Sequence, residues 1–183
     1  QRFLPVDLSI GGDAESTLPS LTEEVRRAMS DARRSQIGDR ETGLRTAYRE
    51  MLDQARKRAT YGWNQSPVST ARLSMEVYRQ IKDHDWSLVS RTMSGVPRRL
   101  WKMDQHYRFI GGPGGGGVGY GAPSSVGAAL ANREHGRLTV SFQADGDINY
   151  APGVFWTAAH HGIPLLSVMH NNRAYHQEVM HLQ

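Results

Sequence analysis

The sequence predicts an α/β protein with a doubly wound, mostly parallel sheet preceded by a helical linker, and three observations carry that prediction. First, Leu138 to Phe142 (L-T-V-S-F) and Pro164 to Met169 (P-L-L-S-V-M) are short apolar runs of the kind that form buried parallel strands. Second, Val154, Ala158 and His161 fall on one helical face of the intervening segment Tyr150 to His161, which makes a β-α-β unit. Third, a glycine run from Gly111 to Gly121 follows a short strand, Tyr107 to Ile110, and precedes a helix opening near Pro123. Stripping side chains from a strand-to-helix turn lets backbone approach a ligand closely.

Taken in order, residues 1–36 hold an extended piece from Phe3 to Ile10, a turn at Gly11-Gly12-Asp13, and a helix from Ser16 or Ser20 to Arg33. Glu23, three residues after Ser20, has capping-box spacing. Residues 37–66 read as a helical linker: Leu44, Tyr48, Met51, Leu52 and Ala55 keep helical spacing on an otherwise charged surface, before Gly62, Asn64, Ser66 and Pro67 break the chain. A separate domain is expected over residues 67–183. It opens with a helix capped by Ser69 or Thr70, in which Leu73, Val77 and Ile81 form the apolar face. Trp86 to Ser90 follows as a strand, and Arg91 to Arg99 as a loop.

Composition narrows the class. The chain has 183 residues, a net charge of +4 and no cysteine, so disulfides and thiolate metal sites are excluded and a cytoplasmic location is expected. No apolar run is long enough to span a bilayer, and the start Q-R-F-L-P-V-D has no signal-peptide pattern. Arg91, Arg98, Arg99, Lys102 and Arg108 cluster before the glycine run. Such a cluster can attract an anionic ligand, but without interleaved aromatic residues a solvated face is the preferred reading, and no nucleic-acid partner is expected.

The chemistry concentrates at two strand ends. Asp145 and Asp147 follow one strand of the β-α-β unit and Asn171-Asn172 follow the other. A right-handed crossover between parallel strands puts both clusters at carboxyl ends, where open α/β sheets bind ligands. A carboxylate, a carboxamide oxygen and a backbone carbonyl form a hard oxygen set suited to Mg²⁺ or Ca²⁺. Amide nitrogens at the helix start after Asp147 suit a phosphate. Either cluster alone reads more simply as a helix cap or a closed turn; their pairing at successive strand ends favours the ligand site.

These residues resemble the thiamine diphosphate enzymes, which carry G-D-G, a spacer of some two dozen residues, and N-N. Here the text is A-D-G, with Ala144 in place of the first glycine, and twenty-four residues separate Gly146 from Asn171. Y-A-P-G-V-F-W-T-A-A-H-H-G-I-P-L-L-S-V-M-H-N-N-R-A-Y is most similar to the acetolactate synthase-like (acetohydroxyacid synthase-like) branch. The resemblance implies the thiamine diphosphate-binding fold, with Mg²⁺ held by Asp145, Asn172 and the carbonyl of Ala174 and bridging to the cofactor's diphosphate. It places Ala144, Gly146, Asp147 and Tyr175 around that cofactor. It gives the carbonyl of Gly116 the cofactor's exocyclic amino group, and it makes Val118 the apolar wedge that keeps thiamine bent. Glu178, six residues beyond Asn172, matches a catalytic glutamate of the pyruvate decarboxylase branch, although a glutamate in the first turn of a helix is an equal reading. His160, His161 and His170 lack metal-ligand spacing and are expected to pack or hydrogen-bond.

One rival reading uses the same glycines. Gly114, Gly116 and Gly119 satisfy G-x-G-x-x-G, and Asp145 ends the following strand, as in nicotinamide-dinucleotide folds. Asp147 and Asn171-Asn172 have no task in that fold. The family likeness implies a 2-oxo acid substrate such as pyruvate, processed by decarboxylation and carboligation or by decarboxylation alone. It further implies a homodimer or homotetramer in which a neighbouring subunit's pyrimidine-binding domain supplies a glutamate. D-L-S-I-G-G-D-A-E-S-T-L-P-S-L resembles the end of that family's central domain, so the sequence is expected to be part of a longer chain whose other segments decide whether FAD binds.

Overall fold

The computed structural model describes residues 5–90, 93, 95–111 and 117–182. By packing, the chain divides into two units, residues 1–50 and 51–183. The first holds α1 (Ala14–Ala28) and most of α2 (Asp31–Ala59), neither of which has a buried residue. Residues 5–12 form no strand, so the extended piece expected from Phe3 stays unpaired over its described part. Capping explains the shifted helix bounds. Asp13 Oδ1 accepts the Ser16 amide at 2.8 Å, starting α1 earlier than Ser16 or Ser20 would, and Ser30 Oγ accepts the Arg33 amide at 3.2 Å, restarting the helix before residue 37.

The second unit is built on a four-stranded parallel sheet. Its strands are β1 (Trp86–Ser90), β2 (Phe109–Ile110), β3 (Leu138–Ala144) and β4 (Leu165–His170), ordered β2-β1-β3-β4. Between them run α3 (Thr70–Ile81) before β1, α4 (Gly95–Leu100) before β2, and α5 (Gly121–Arg133) before β3. After β3 come α6 (Asp145–Ile148) and α7 (Val154–His160), and α8 (His176–His181) follows β4. The sequence reading gave α4 to a loop and joined α7 to the stretch before it. Chain direction across the sheet reverses between β1 and β3, which is the switch point of a doubly wound sheet. The α/β prediction holds.

Each face of β3 packs differently. Val140 and Phe142 join Trp86, Leu88, Ile81 and Trp101 in an apolar core under α3 and α4, where Trp101 stacks on Tyr78 at 5.1 Å and meets Trp86 edge-on at 5.3 Å. Apolar burial is enough to hold that side. Thr139, Ser141 and Gln143 point the other way and are satisfied by α5: Asn132 donates to Thr139 Oγ1 at 2.8 Å, and Ser125 Oγ lies 2.6 Å from Ser141 Oγ. Buried polar groups are tolerated only when paired in this manner. Ala122, Ser125 and Ala129 are small and buried, letting α5 approach the sheet closely. That approach fixes where the glycine loop, which runs into α5, meets the end of β3.

Candidate cofactor site

β3 and β4 end in register, Ala144 opposite His170, so the residues that follow leave the sheet side by side. Ala144 has φ −86° and ψ 148°, ordinary extended backbone, which is why alanine serves where the related motif has glycine. The chain then turns at once into α6. Asp145 Oδ1 accepts the Asn172 amide at 3.2 Å, which joins the two clusters across the β3/β4 gap.

Beyond β4 the Asn pair does close a turn. Asn171 Oδ1 accepts the Arg173 amide at 3.2 Å and Asn172 Oδ1 accepts the Ala174 amide at 3.3 Å, while Arg173 takes a left-handed φ of +59°. Turn closure and metal binding are compatible, because a carboxamide oxygen has two lone pairs. Among the described residues no group of three or more His, Cys, Asp or Glu could hold a metal. Asp145, Asn172 and Ala174 are instead linked through two backbone amides: that of Asn172 donates to the Asp145 carboxylate and that of Ala174 to the Asn172 carboxamide oxygen. This one-carboxylate oxygen set fits Mg²⁺ in chemistry. Asn171, Asn172 and Arg173 also line a cavity of about 690 Å³ whose far wall includes Pro67 and Leu73.

Gly146 is the tight point. Tyr175 donates its hydroxyl to the Gly146 carbonyl at 3.1 Å, and its ring carbon Cε1 lies 2.7 Å from where a Cβ on Gly146 would stand. Only glycine fits. Partial burial of the Tyr175 ring, then Tyr150 and the carboxylates of Asp145 and Asp147, hold its hydroxyl above the ordinary value of 10.0.

Asp147 faces the glycine loop. Its Oδ1 accepts the Gly119 amide at 2.6 Å, and the residue is 8 % exposed. Neither acid, then, caps its own helix. The helix expected to start after Asp147 begins only at Val154, because the Tyr150 and Ala151 amides donate to the carbonyls of Asp147 and Ile148. The open amides suited to a phosphate are those of the first turn of α6.

Val118 is 48 % exposed beside Gly119, free to meet a ligand; Gly116 lies outside the described residues, as do Gly114 and Arg91. Glu178 stands exposed in the first turn of α8 and makes no hydrogen bond or ion pair among the described residues. Of the three histidines, His160 stacks on Trp156 at 4.5 Å and meets His161 edge-on. Sequence reasoning missed Gln143, which donates to Ser125 Oγ at 3.1 Å and Ser141 Oγ at 2.5 Å under the loop. Its signal was S-F-Q, polar residues alternating inside an apolar strand.

Residues 92–182 match the family described as "Thiamine pyrophosphate enzyme, C-terminal TPP binding domain". These residues belong to the thiamine diphosphate-dependent enzyme family. Relatives agree with that assignment. One, from Mycobacterium tuberculosis, carries the name of an acetolactate synthase large subunit, IlvX, and is 36% identical over 61 residues, covering 33% of this chain and 12% of the relative. Another is a benzoylformate decarboxylase from Pseudomonas aeruginosa, 35% identical over 63 residues, covering 34% of this chain and 12% of the relative. A solved structure from Mycobacterium smegmatis, described as a thiamin diphosphate-dependent enzyme, superposes with a TM-score of 0.50 at 32% identity over 58% of this chain and 21% of its own. The chain therefore spans about an eighth of the length of each curated relative.

Proposed function

We propose that residues 67–183 form the diphosphate-binding side of a thiamine diphosphate site, and that the whole enzyme decarboxylates a 2-oxo acid such as pyruvate and joins the product to a second carbonyl, as an acetolactate synthase does. The observation that carries this reading is the contact between Asp145 and the Asn172 amide, beside a glycine loop tied to the same short helix. On this reading Asp145, Asn172 and the Ala174 carbonyl would hold Mg²⁺, and the first-turn amides of α6 would face the diphosphate. When bound, the cofactor would supply the electron sink that decarboxylation needs. This chain's residues bind and orient: Val118 stands at the loop edge, and Gly146 leaves room for the Tyr175 ring. Residues 1–36 take the place of a preceding domain's tail and 37–66 that of a linker.

A decarboxylase without carboligation is the second reading, supported by the benzoylformate decarboxylase relative and by Glu178, which would relay a proton if α8 closes over the substrate. Both readings need a general acid-base glutamate from a neighbouring subunit's pyrimidine-binding domain, in a homodimer or homotetramer. Such help is worth ~10²–10⁴ in rate. The test is CO₂ release from pyruvate with thiamine diphosphate and Mg²⁺. None is expected from these 183 residues alone, with activity appearing when the pyrimidine-binding domain is supplied. Thiamine-dependent turnover by the chain alone, at a dilution that keeps it monomeric, would overturn the split site and direct mutagenesis to Glu178.

A further inference from the structure

Three consecutive residues of α6 hold two different segments, the turn after β4 and the glycine loop. Asp145 takes the Asn172 amide, Gly146 takes the Tyr175 hydroxyl, and Asp147 takes the Gly119 amide. Asp147 is the odd member, because a carboxylate beside a diphosphate would repel it. Its side chain is turned inward instead. Oδ1 is spent on Gly119, and Oδ2, buried and without a hydrogen-bond partner among the described residues, lies 2.9 Å from where a Cβ on Gly121 would stand. Gln143 Oε1 is also 2.9 Å from that point, so a Cβ on the first residue of α5 would push aside two acceptor side chains. Gly119 has φ +83° and passes so close to Tyr150 Cβ that a Cβ of its own would sit 2.5 Å away.

We infer that Asp147 is a positioning residue: it latches the glycine loop onto α6 and thereby sets Val118, one residue from the latch, against the metal corner formed by Asp145 and Asn172. The inference rests on reading the loop and α6 as two walls of one cofactor site. The latch itself is a property of the unliganded chain. A hydrogen bond to a charged acceptor protects its donor, so releasing it should speed exchange of the Gly119 amide by about 10- to 150-fold. Asp147→Asn keeps an acceptor of the same shape and removes only the charge, so it should restore most of that protection.

The experiment is NMR-detected amide exchange on the ¹⁵N-labelled 183-residue chain without cofactor, followed by calorimetric titration of thiamine diphosphate with Mg²⁺. Asp147→Ala is expected to shift the Gly119 amide proton upfield, speed its exchange and weaken cofactor binding at least tenfold, with Asp147→Asn close to wild type in both. Unchanged Gly119 shift and exchange in a folded Asp147→Ala chain overturns the latch. A released Gly119 with unchanged cofactor affinity overturns the positioning role and leaves the proposed site standing. A Gly119 response in a chain that binds no cofactor in any form sustains the latch and sinks the proposed site. Where Asp147→Ala does not fold, Asp147→Ser decides, because its shorter side chain draws the acceptor away from the Gly119 amide: Gly119 exchange and shift identical to wild type overturn the latch.

Discussion

Substituting Gly119 by alanine sets two opposing magnitudes against each other. At φ +83° an L-residue carries a backbone cost of about 1–2 kcal/mol. The new Cβ would stand 2.5 Å from Tyr150 Cβ, well inside carbon contact distance, and overpacking of that kind costs about 1–3 kcal/mol. Together the strain of keeping the loop in place reaches roughly 2–5 kcal/mol. Opposing that strain at Gly119 itself is a charged hydrogen bond, Gly119 N–H to Asp147 Oδ1 at 2.6 Å, worth about 1.5–3 kcal/mol. The restraint is the weaker of the two. The Gly119 contact should therefore let go and the sheet stay intact, so that Gly119→Ala lowers unfolding stability by about 1.5–3 kcal/mol, the worth of the released bond. Urea denaturation measures the loss, and hydrogen exchange should show residues 117–120 opening while β1 and β3 remain protected. A loss near 5 kcal/mol with opening of β3, or no loss at all, would refute the reasoning.

Two further outcomes follow from the site. Tyr175 has its hydroxyl held above 10.0, chiefly by partial burial of its ring, and the protonated form donates to Gly146. The bond is present below 10.0 and disappears as pH rises through the higher folded value, so tyrosinate absorbance lost on Tyr175→Phe should titrate above 10.0; titration at or below it contradicts the placement. Val118→Ala, in the complete enzyme, should leave diphosphate affinity nearly unchanged while slowing exchange of the cofactor's C2 proton, and unaltered exchange by NMR removes Val118 from the wedge role.

The sheet was legible because its signal is local. Trp86–Ser90 is bounded as the apolar run suggests, Leu138 opens a strand in sequence and structure alike, and the strand read from Pro164 begins one residue later at Leu165. Helix bounds were less so: Asp13 and Ser30 each displace a start through one side-chain hydrogen bond that periodicity does not register. α6 was invisible. Four residues cannot announce a helix by pattern, and this one is held by tethers to Asn172, Tyr175 and Gly119, all distant in sequence. Of the candidate site, motif spacing correctly brought Asp145 to Asn172, whereas the inward turn of Asp147 depends on a loop whose path no spacing encodes.

The central claim is that the Asp145 and Asn172 corner holds thiamine diphosphate through Mg²⁺, and calorimetry tests it most directly. Thiamine diphosphate is titrated into the 183-residue chain with Mg²⁺, in excess chelator, and against Asp145→Ala with Mg²⁺. Binding is predicted in the first case alone. Equal heat and affinity in chelator, or undiminished binding by Asp145→Ala, would contradict it.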